Sequence, residues 1–116
     1  DNPHISNSIR KLKGYDAVKV NAVSICNKPM RNLRFTVEIH KRGFFRNYKV
    51  VTESIEIPSW IAANRKIENN VTWKRCKNKR PSRYFGVAYA QALIDEKEMR
   101  TLPVTTEKTI SLPCGT

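Results

Sequence analysis

The residues best suited to chemistry in this chain form a basic run bracketed by aromatic side chains. Six cations lie between Trp73 and the Tyr84-Phe85 pair. Clustered cations neutralise phosphates and release counterions, and aromatic rings stack on unpaired bases. The alternative is a solvated loop whose charge only keeps the protein in solution. We predict contact with nucleic acid or another polyanion at Trp73, Lys74, Arg75, Lys77, Lys79, Arg80, Arg83 and Tyr84.

The charge of the whole chain favours a polyanionic partner. The 116 residues include 22 Lys and Arg against 10 Asp and Glu, a formal net charge of +12. A surplus of this size attracts phosphates over long range. A second basic group, whose place relative to the first is open, comprises Arg31, Arg34, Lys41, Arg42 and Arg46.

Groups for acid–base catalysis are sparse. His4 and His40 are the two histidines, and His4 falls in a segment that reads as an arm. Glu38 and His40, two residues apart, share a face only in a strand, and a surface histidine is the favoured interpretation. With no paired C-x-x-C spacing either, we expect no catalytic residue, no metal and no cofactor.

Three dispersed cysteines, Cys26, Cys76 and Cys114, allow one disulfide with a free thiol, or three reduced thiols in a cytosolic protein. No apolar run approaches the ~18 residues that span a bilayer, so no membrane partner is expected. Because the first residue is Asp, we expect either a mature product or a trimmed chain, from which any targeting peptide has been removed, and secretion stays open.

The elements that must position these residues are mainly strands. Residues 1–14 form an N-terminal arm, or a short helix capped by Ser6 or Asn7, and residues 15–116 form the domain. Pro29–Arg42 fits either a helix or a strand, and its alternation leans to a strand. The remaining expectations are strands in Tyr15–Cys26, Phe44–Ile57, Val71–Trp73, Tyr84–Ile94, Met99–Val104 and Thr109–Leu112, with a polar loop at Asn64–Asn70.

The C-terminal third resembles the final strands of small fungal guanyl-preferring ribonucleases. The resemblance is carried by the apolar strand Tyr84–Ile94, the acidic turn Asp95–Glu98, the strand Met99–Thr105 and the closing segment Leu112–Thr116. Size, charge and the scarcity of histidine are similar to the catalytically inactive branch of that family, the RNase-like effectors of powdery mildew fungi. The aromatic-x-Cys pattern of that family is replaced here by Ser24-Ile25-Cys26.

The resemblance implies a microbial ribonuclease-like α+β fold, a single small domain with one helix packed on a central antiparallel sheet. The implied helix is Pro29–Arg42, against the local lean to a strand. The implied disulfide joins Cys26 to Cys114 and leaves Cys76 free.

The resulting hypothesis is a secreted, monomeric, non-enzymatic virulence effector, delivered into the host cell. It would bind host RNA, ribosome-associated material or a host protein, and a plant immune receptor would sense it. One alternative is an active small ribonuclease that uses Glu38, His40 and an arginine. Another is a basic RNA-binding housekeeping protein, for which a long-range cysteine pair would be unexpected.

Overall fold

A six-stranded antiparallel sheet organises the chain in the computed structural model, which describes residues 1–116. Three long strands form its centre: β4 (Arg31–Arg42), β5 (Asn47–Ile57) and β8 (Asn78–Ile94). β4 lies between β5 and β8 and is antiparallel to both. The short strands that pair with β8 are β9 (Lys97–Arg100), β10 (Val104–Thr105) and β11 (Ile110–Gly115).

Two smaller sheets add residues to the core. One has the order β1-β2-β7, and the other pairs β3 with β6. Val18 and Ile67 from these sheets join Phe35, Val37 and Ile39 of β4 in one buried cluster. The bounds are β1 (His4–Ile5), β2 (Ala17–Lys19), β3 (Ala22–Ile25), β6 (Lys66–Asn69) and β7 (Trp73–Arg75).

The one helix, α1 (Asn7–Lys13), lies in the N-terminal segment. Ser6 is its N-cap and accepts a hydrogen bond from the Ile9 amide at 3.2 Å. Gly14 ends the helix at φ 74°, a conformation that suits glycine, and donates to the Arg10 carbonyl. The capped helix was one of the two interpretations of residues 1–14, and β1 on β2 ties the same segment to the fold.

Pro29–Arg42 is not the helix that the resemblance implies, and the local lean to a strand is confirmed. Phe35, Val37 and Ile39 are buried in the core cluster, and the residues between them lie on the other face of the sheet. This period of two directs the three apolar side chains to the core together, which a helix could not do, while Thr36 and Glu38 between them are buried on the opposite face. The coarse class is therefore confirmed as a small α+β-like domain, mostly antiparallel sheet with one helix.

The prediction of a polar loop at Asn64–Asn70 was wrong. β6 occupies most of this segment. One of the polar residues that suggested a loop, Asn69, is buried. It makes four hydrogen bonds within the protein, which replace those it would make with water. Its amide donates to the carbonyls of Phe35 and Glu53 at 3.1 Å each, and its oxygen accepts from Val71 and Thr72.

The disulfide joins Cys76 to Cys114, and Cys26 is the free thiol, so the Cys26–Cys114 pairing was wrong. The cause is the pairing of β8 with β11. Asn78 lies opposite Gly115, which brings the two cysteines together with their Cα atoms 4.9 Å apart. A disulfide is consistent with a secreted protein. Separately, no helix is long and apolar enough to cross a membrane.

Candidate nucleic-acid interface

The predicted basic run is divided between two sheets. Trp73–Arg75 forms β7, which pairs with β2, and β8 begins at Asn78 after a short connection. The Cys76 disulfide fixes that connection against β11, and the Lys77 amide donates to the Gly115 carbonyl at 2.6 Å. The run thus consists of two strand segments and the short connection between them. Its charge density alone is equally typical of a loop.

All six cations of the run are exposed, and none has a carboxylate within 4.0 Å. The sequence explains this, since no Asp or Glu lies between Glu68 and Asp95. Cations elsewhere in the chain do find partners, such as Arg10 with Asp16 and Arg34 with Glu56. The uncompensated cations are Lys74, Arg75, Lys77, Lys79, Arg80 and Arg83.

The second basic group supplies three more uncompensated cations next to the first. Lys41, Arg42 and Arg46 lie where β4 turns into β5, and none is in an ion pair. Lys41 is paired with Tyr84. Since β4 and β8 are antiparallel, the start of β8 extends in the same direction as this turn. We call the combined surface the basic end: Lys41, Arg42, Arg46, Lys79, Arg80 and Arg83.

Arg31 and Arg34, the other members of the second group, do not belong to the basic end. They lie at the start of β4 and contact Glu96 and Glu56 respectively. The structure therefore brings part of each predicted group together, and it places the rest elsewhere.

Tyr84 cannot stack on a base, which corrects its place among the predicted binding residues. Its side chain is 0% exposed, and its hydroxyl donates to the Cys114 carbonyl. Because Tyr84 is on the core face of β8, it anchors the strand from which the neighbouring cations project. Its role is structural.

Trp73, the first aromatic residue of the run, is half-buried. Its ring centroid is 6.3 Å from that of Tyr15, at an angle of 43°. The guanidinium of Arg75 lies 4.3 Å from the centroid of the Tyr15 ring, within cation–π distance. Tyr15 was missed as a member of this group, because the contact depends on the pairing of β2 with β7.

Phe85 and His40 form a stacked pair on the sheet face opposite the core. Their ring centroids are 5.1 Å apart and their planes differ by 13°. Arg42 lies over Phe85 at 5.8 Å. The register that sets His40 opposite Phe85 creates this contact, so it links the basic end to the polar cluster beside it.

That polar cluster is centred on Glu38, whose side chain is 11% exposed. One carboxylate oxygen is 2.8 Å from His40 Nε2. The other accepts from the Tyr89 hydroxyl at 2.8 Å and from Lys49 Nζ at 3.4 Å. The strand geometry that brings Glu38 and His40 to one face is the condition on which the acid–base alternative depended.

The surroundings of Glu38 lower its pKa. Burial acts to raise the pKa, but the hydrogen bonds from His40 and Tyr89 and the charge of Lys49 outweigh it. The same contact raises the pKa of Tyr89, chiefly because its hydroxyl is hydrogen-bonded to the carboxylate, with burial adding to the effect. Glu38 is therefore held ionised, and Tyr89 is held protonated.

This arrangement is poorly suited to two-group acid–base catalysis. Glu38 and His40 contact each other and so form one proton-transferring unit. Cleavage of a phosphodiester needs a second titratable group across the reacting phosphate. Glu56, the nearest other carboxylate on this face, is four residues along the ladder, roughly 13 Å by strand rise, and contacts Arg34.

Two other features bear on the chemistry of the chain. No group of three or more His, Cys, Asp or Glu side chains is arranged to hold a metal ion. A cavity of about 490 Å³ lies on the core side between β3 and β8, and none of the predicted binding residues lines it. The basic end is an open surface.

No family model matches the chain, and no curated protein or solved structure is found to be similar to it.

Proposed function

We propose that this protein binds single-stranded RNA at the basic end and does not cleave it. The observation that carries the proposal is the meeting of two acid-free segments, residues 39–52 and 69–94, through the pairing of β4 with β8. Phosphates displace only water and counterions from cations that have no carboxylate partner. Trp73 lies outside the basic end, on β7 of a neighbouring sheet, and is proposed as a second contact whose half-buried ring stacks on an unpaired base.

Binding is tested by fluorescence anisotropy with a labelled single-stranded RNA of mixed sequence. The variant replaces Lys79, Arg80 and Arg83 by Gln. The control replaces Lys28, Lys97 and Arg100 by Gln, which removes the same formal charge outside the basic end; Lys28 and Arg100 are in ion pairs with Asp95 and Glu98. We expect the first variant to lose most of the affinity and the control to keep it.

Equal affinity of the two triple variants would contradict the proposal. It would show that the net charge, rather than the basic end, attracts the RNA. Equal affinity of the first variant and wild type at low salt would show that the run is a solvated surface.

Absence of cleavage is the second part of the proposal. A general acid must release its proton easily, and the raised pKa of Tyr89 makes it a poor donor near neutral pH. Excess protein incubated with labelled RNA should therefore leave it intact in a single turnover.

The active ribonuclease is kept as a second candidate because Glu38 and His40 are in contact. Cleavage that survives repurification, and is lost in both Glu38→Gln and His40→Ala, would establish it. Cleavage that is unchanged in these variants would instead indicate a contaminating nuclease.

The role of the binding is proposed from the C-terminal resemblance alone: a secreted, RNase-like virulence effector of a plant-pathogenic fungus, sensed by an immune receptor. A disulfide is consistent with secretion, but it joins Cys114 to Cys76 and not to Cys26, which departs from the pairing that the resemblance implies. The position of the helix, before the central sheet strands, departs from the pattern that the resemblance implies. Expression inside leaf cells of diverse cereal lines tests the role, with cell death in some lines as the expected result and death in none as the contrary one.

A further inference from the structure

The most exposed large apolar side chains of the molecule lie at the tip of the β4–β5 hairpin. Phe44 and Phe45 are 95% and 92% exposed. Their ring centroids are 4.7 Å apart in an edge-to-face arrangement, so the two rings form one apolar projection, which we call the phenylalanine knob. Two adjacent, fully hydrated aromatic rings gain nothing for folding, which points to a contact outside the chain.

The turn that carries the knob is closed and specific. The Gly43 amide donates to the Arg46 carbonyl at 2.9 Å across the turn. A Cβ at position 43 would clash with that same oxygen, so this approach requires glycine. Arg46 is in turn held over the Tyr48 ring at 4.9 Å. The knob is thus presented by a defined hairpin.

Positive charge surrounds the base of the knob. Lys41 and Arg42 precede it, Arg46 and Lys49 follow it, and no Asp or Glu occurs from Ile39 to Thr52. Apolar rings ahead of a collar of cations match the two layers of a membrane surface, where anionic phosphates cover an acyl region.

We propose that the phenylalanine knob inserts into the boundary between headgroups and acyl chains of a bilayer that contains anionic lipid. Lys41, Arg42 and Arg46, which have no carboxylate partner, then lie at the level of the lipid phosphates, while Lys49 stays in contact with Glu38. This goes beyond RNA binding, and it replaces the expectation of no membrane contact with a peripheral one.

The shape of the knob favours a bilayer over a nucleic acid. Bases stack on the open face of a ring. In an edge-to-face pair, one ring covers part of the face of the other, and the pair lacks parallel surfaces for successive bases. A yielding acyl region accepts such a projection whatever its ring orientation.

The test is sedimentation of the full chain with phosphatidylcholine vesicles, with and without phosphatidylserine. The variant is Phe44→Ser with Phe45→Ser. The control is Leu12→Ser with Leu102→Ser, which removes two other highly exposed apolar side chains. Circular dichroism verifies that each variant is folded.

We expect wild type and the control to bind vesicles containing phosphatidylserine, and added salt to weaken that binding. The knob variant should bind them at least about ten-fold more weakly, since two rings lose their transfer from water. Its affinity for RNA should stay within about two-fold of wild type, because the cations of the basic end are unchanged.

Three results would overturn the inference. If wild type binds both vesicle types equally, or binds neither, an anionic bilayer is not its partner. If the knob variant binds vesicles as tightly as wild type, the phenylalanine knob is not the membrane contact. If the knob variant also loses affinity for RNA, the two rings belong to the nucleic-acid surface. If no protein binds RNA, the proposed function fails, and the vesicle result still decides the membrane inference.

Discussion

Glu38 combines burial with three hydrogen-bond donors, and this explains how a carboxylate is tolerated in the middle of the central strand. The donors are His40, Tyr89 and Lys49, from β4, β8 and β5 respectively. A buried carboxylate without such partners would be costly. The cluster therefore joins the three long strands on the face opposite the core.

The lowered pKa of Glu38 makes the fold sensitive to acid. Because the folded-state pKa lies below the ordinary value of 4.5, ionised Glu38 stabilises the fold above that pH, and the stabilisation is lost as the pH falls through the folded-state pKa. Urea unfolding between neutral pH and about pH 3 should show a smaller pH dependence in Glu38→Gln than in wild type. Glu56→Gln, a change at an exposed carboxylate on the same face, is the control, and equal slopes in wild type and Glu38→Gln would contradict the prediction.

At the scale of elements, Asn69 holds β6 against the central sheet. Its side-chain amide spans the carbonyls of Phe35 on β4 and Glu53 on β5. Those carbonyls belong to neighbouring strands of the central sheet. One buried side-chain amide therefore gives both of them the hydrogen-bond donor that a backbone N–H would otherwise supply.

Asn69→Ala should lower the free energy of unfolding by about 1–3 kcal/mol or more, because it leaves buried carbonyls without donors. Asn70→Ala, at the adjacent exposed residue, should change it by no more than about 0.5 kcal/mol. Chemical denaturation of both variants measures this. A destabilisation of equal size in the two would show that Asn69 is not an anchor.

Sequence patterns predicted the elements whose signal is local. The alternation of Phe35, Val37 and Ile39 identified a strand, and Ser6 identified a helix N-cap. The sequence patterns failed where a residue distant in the chain determines the conformation or the burial of a segment. β6 was missed because the hydrogen bonds of Asn69 reach other strands, and Tyr84 was misplaced because its burial depends on Cys114.

The candidate site follows the same division. The exposed cations were predictable from composition. Their union with Lys41, Arg42 and Arg46 depends on the register of β4 against β8, which no local pattern contains.

At the scale of the whole molecule, the Cys76–Cys114 disulfide closes the chain around its longest strand. The two cysteines are 38 residues apart, and the bond joins the start of β8 to the last strand. It therefore restricts the unfolded chain as well as fixing the basic end.

Cys76→Ser should lower the free energy of unfolding by up to about 4 kcal/mol in the chain-entropy model. Cys26→Ser, at the free thiol, should cost about 1 kcal/mol. Peptide mapping without reduction gives the pairing directly. A Cys26–Cys114 peptide would refute the pairing described here.

The central claim, RNA binding by uncompensated cations at one end of the sheet, is tested most directly by the salt dependence of affinity. On a single strand, the logarithm of the association constant falls with the logarithm of the salt concentration by about 0.7 for each phosphate contacted. Replacing Lys79, Arg80 and Arg83 by Gln should therefore flatten the slope by about 2, which is three contacts. Trp73→Ala should weaken binding by about 1–3 kcal/mol with the slope unchanged. A slope in the triple variant equal to that of wild type would contradict the account.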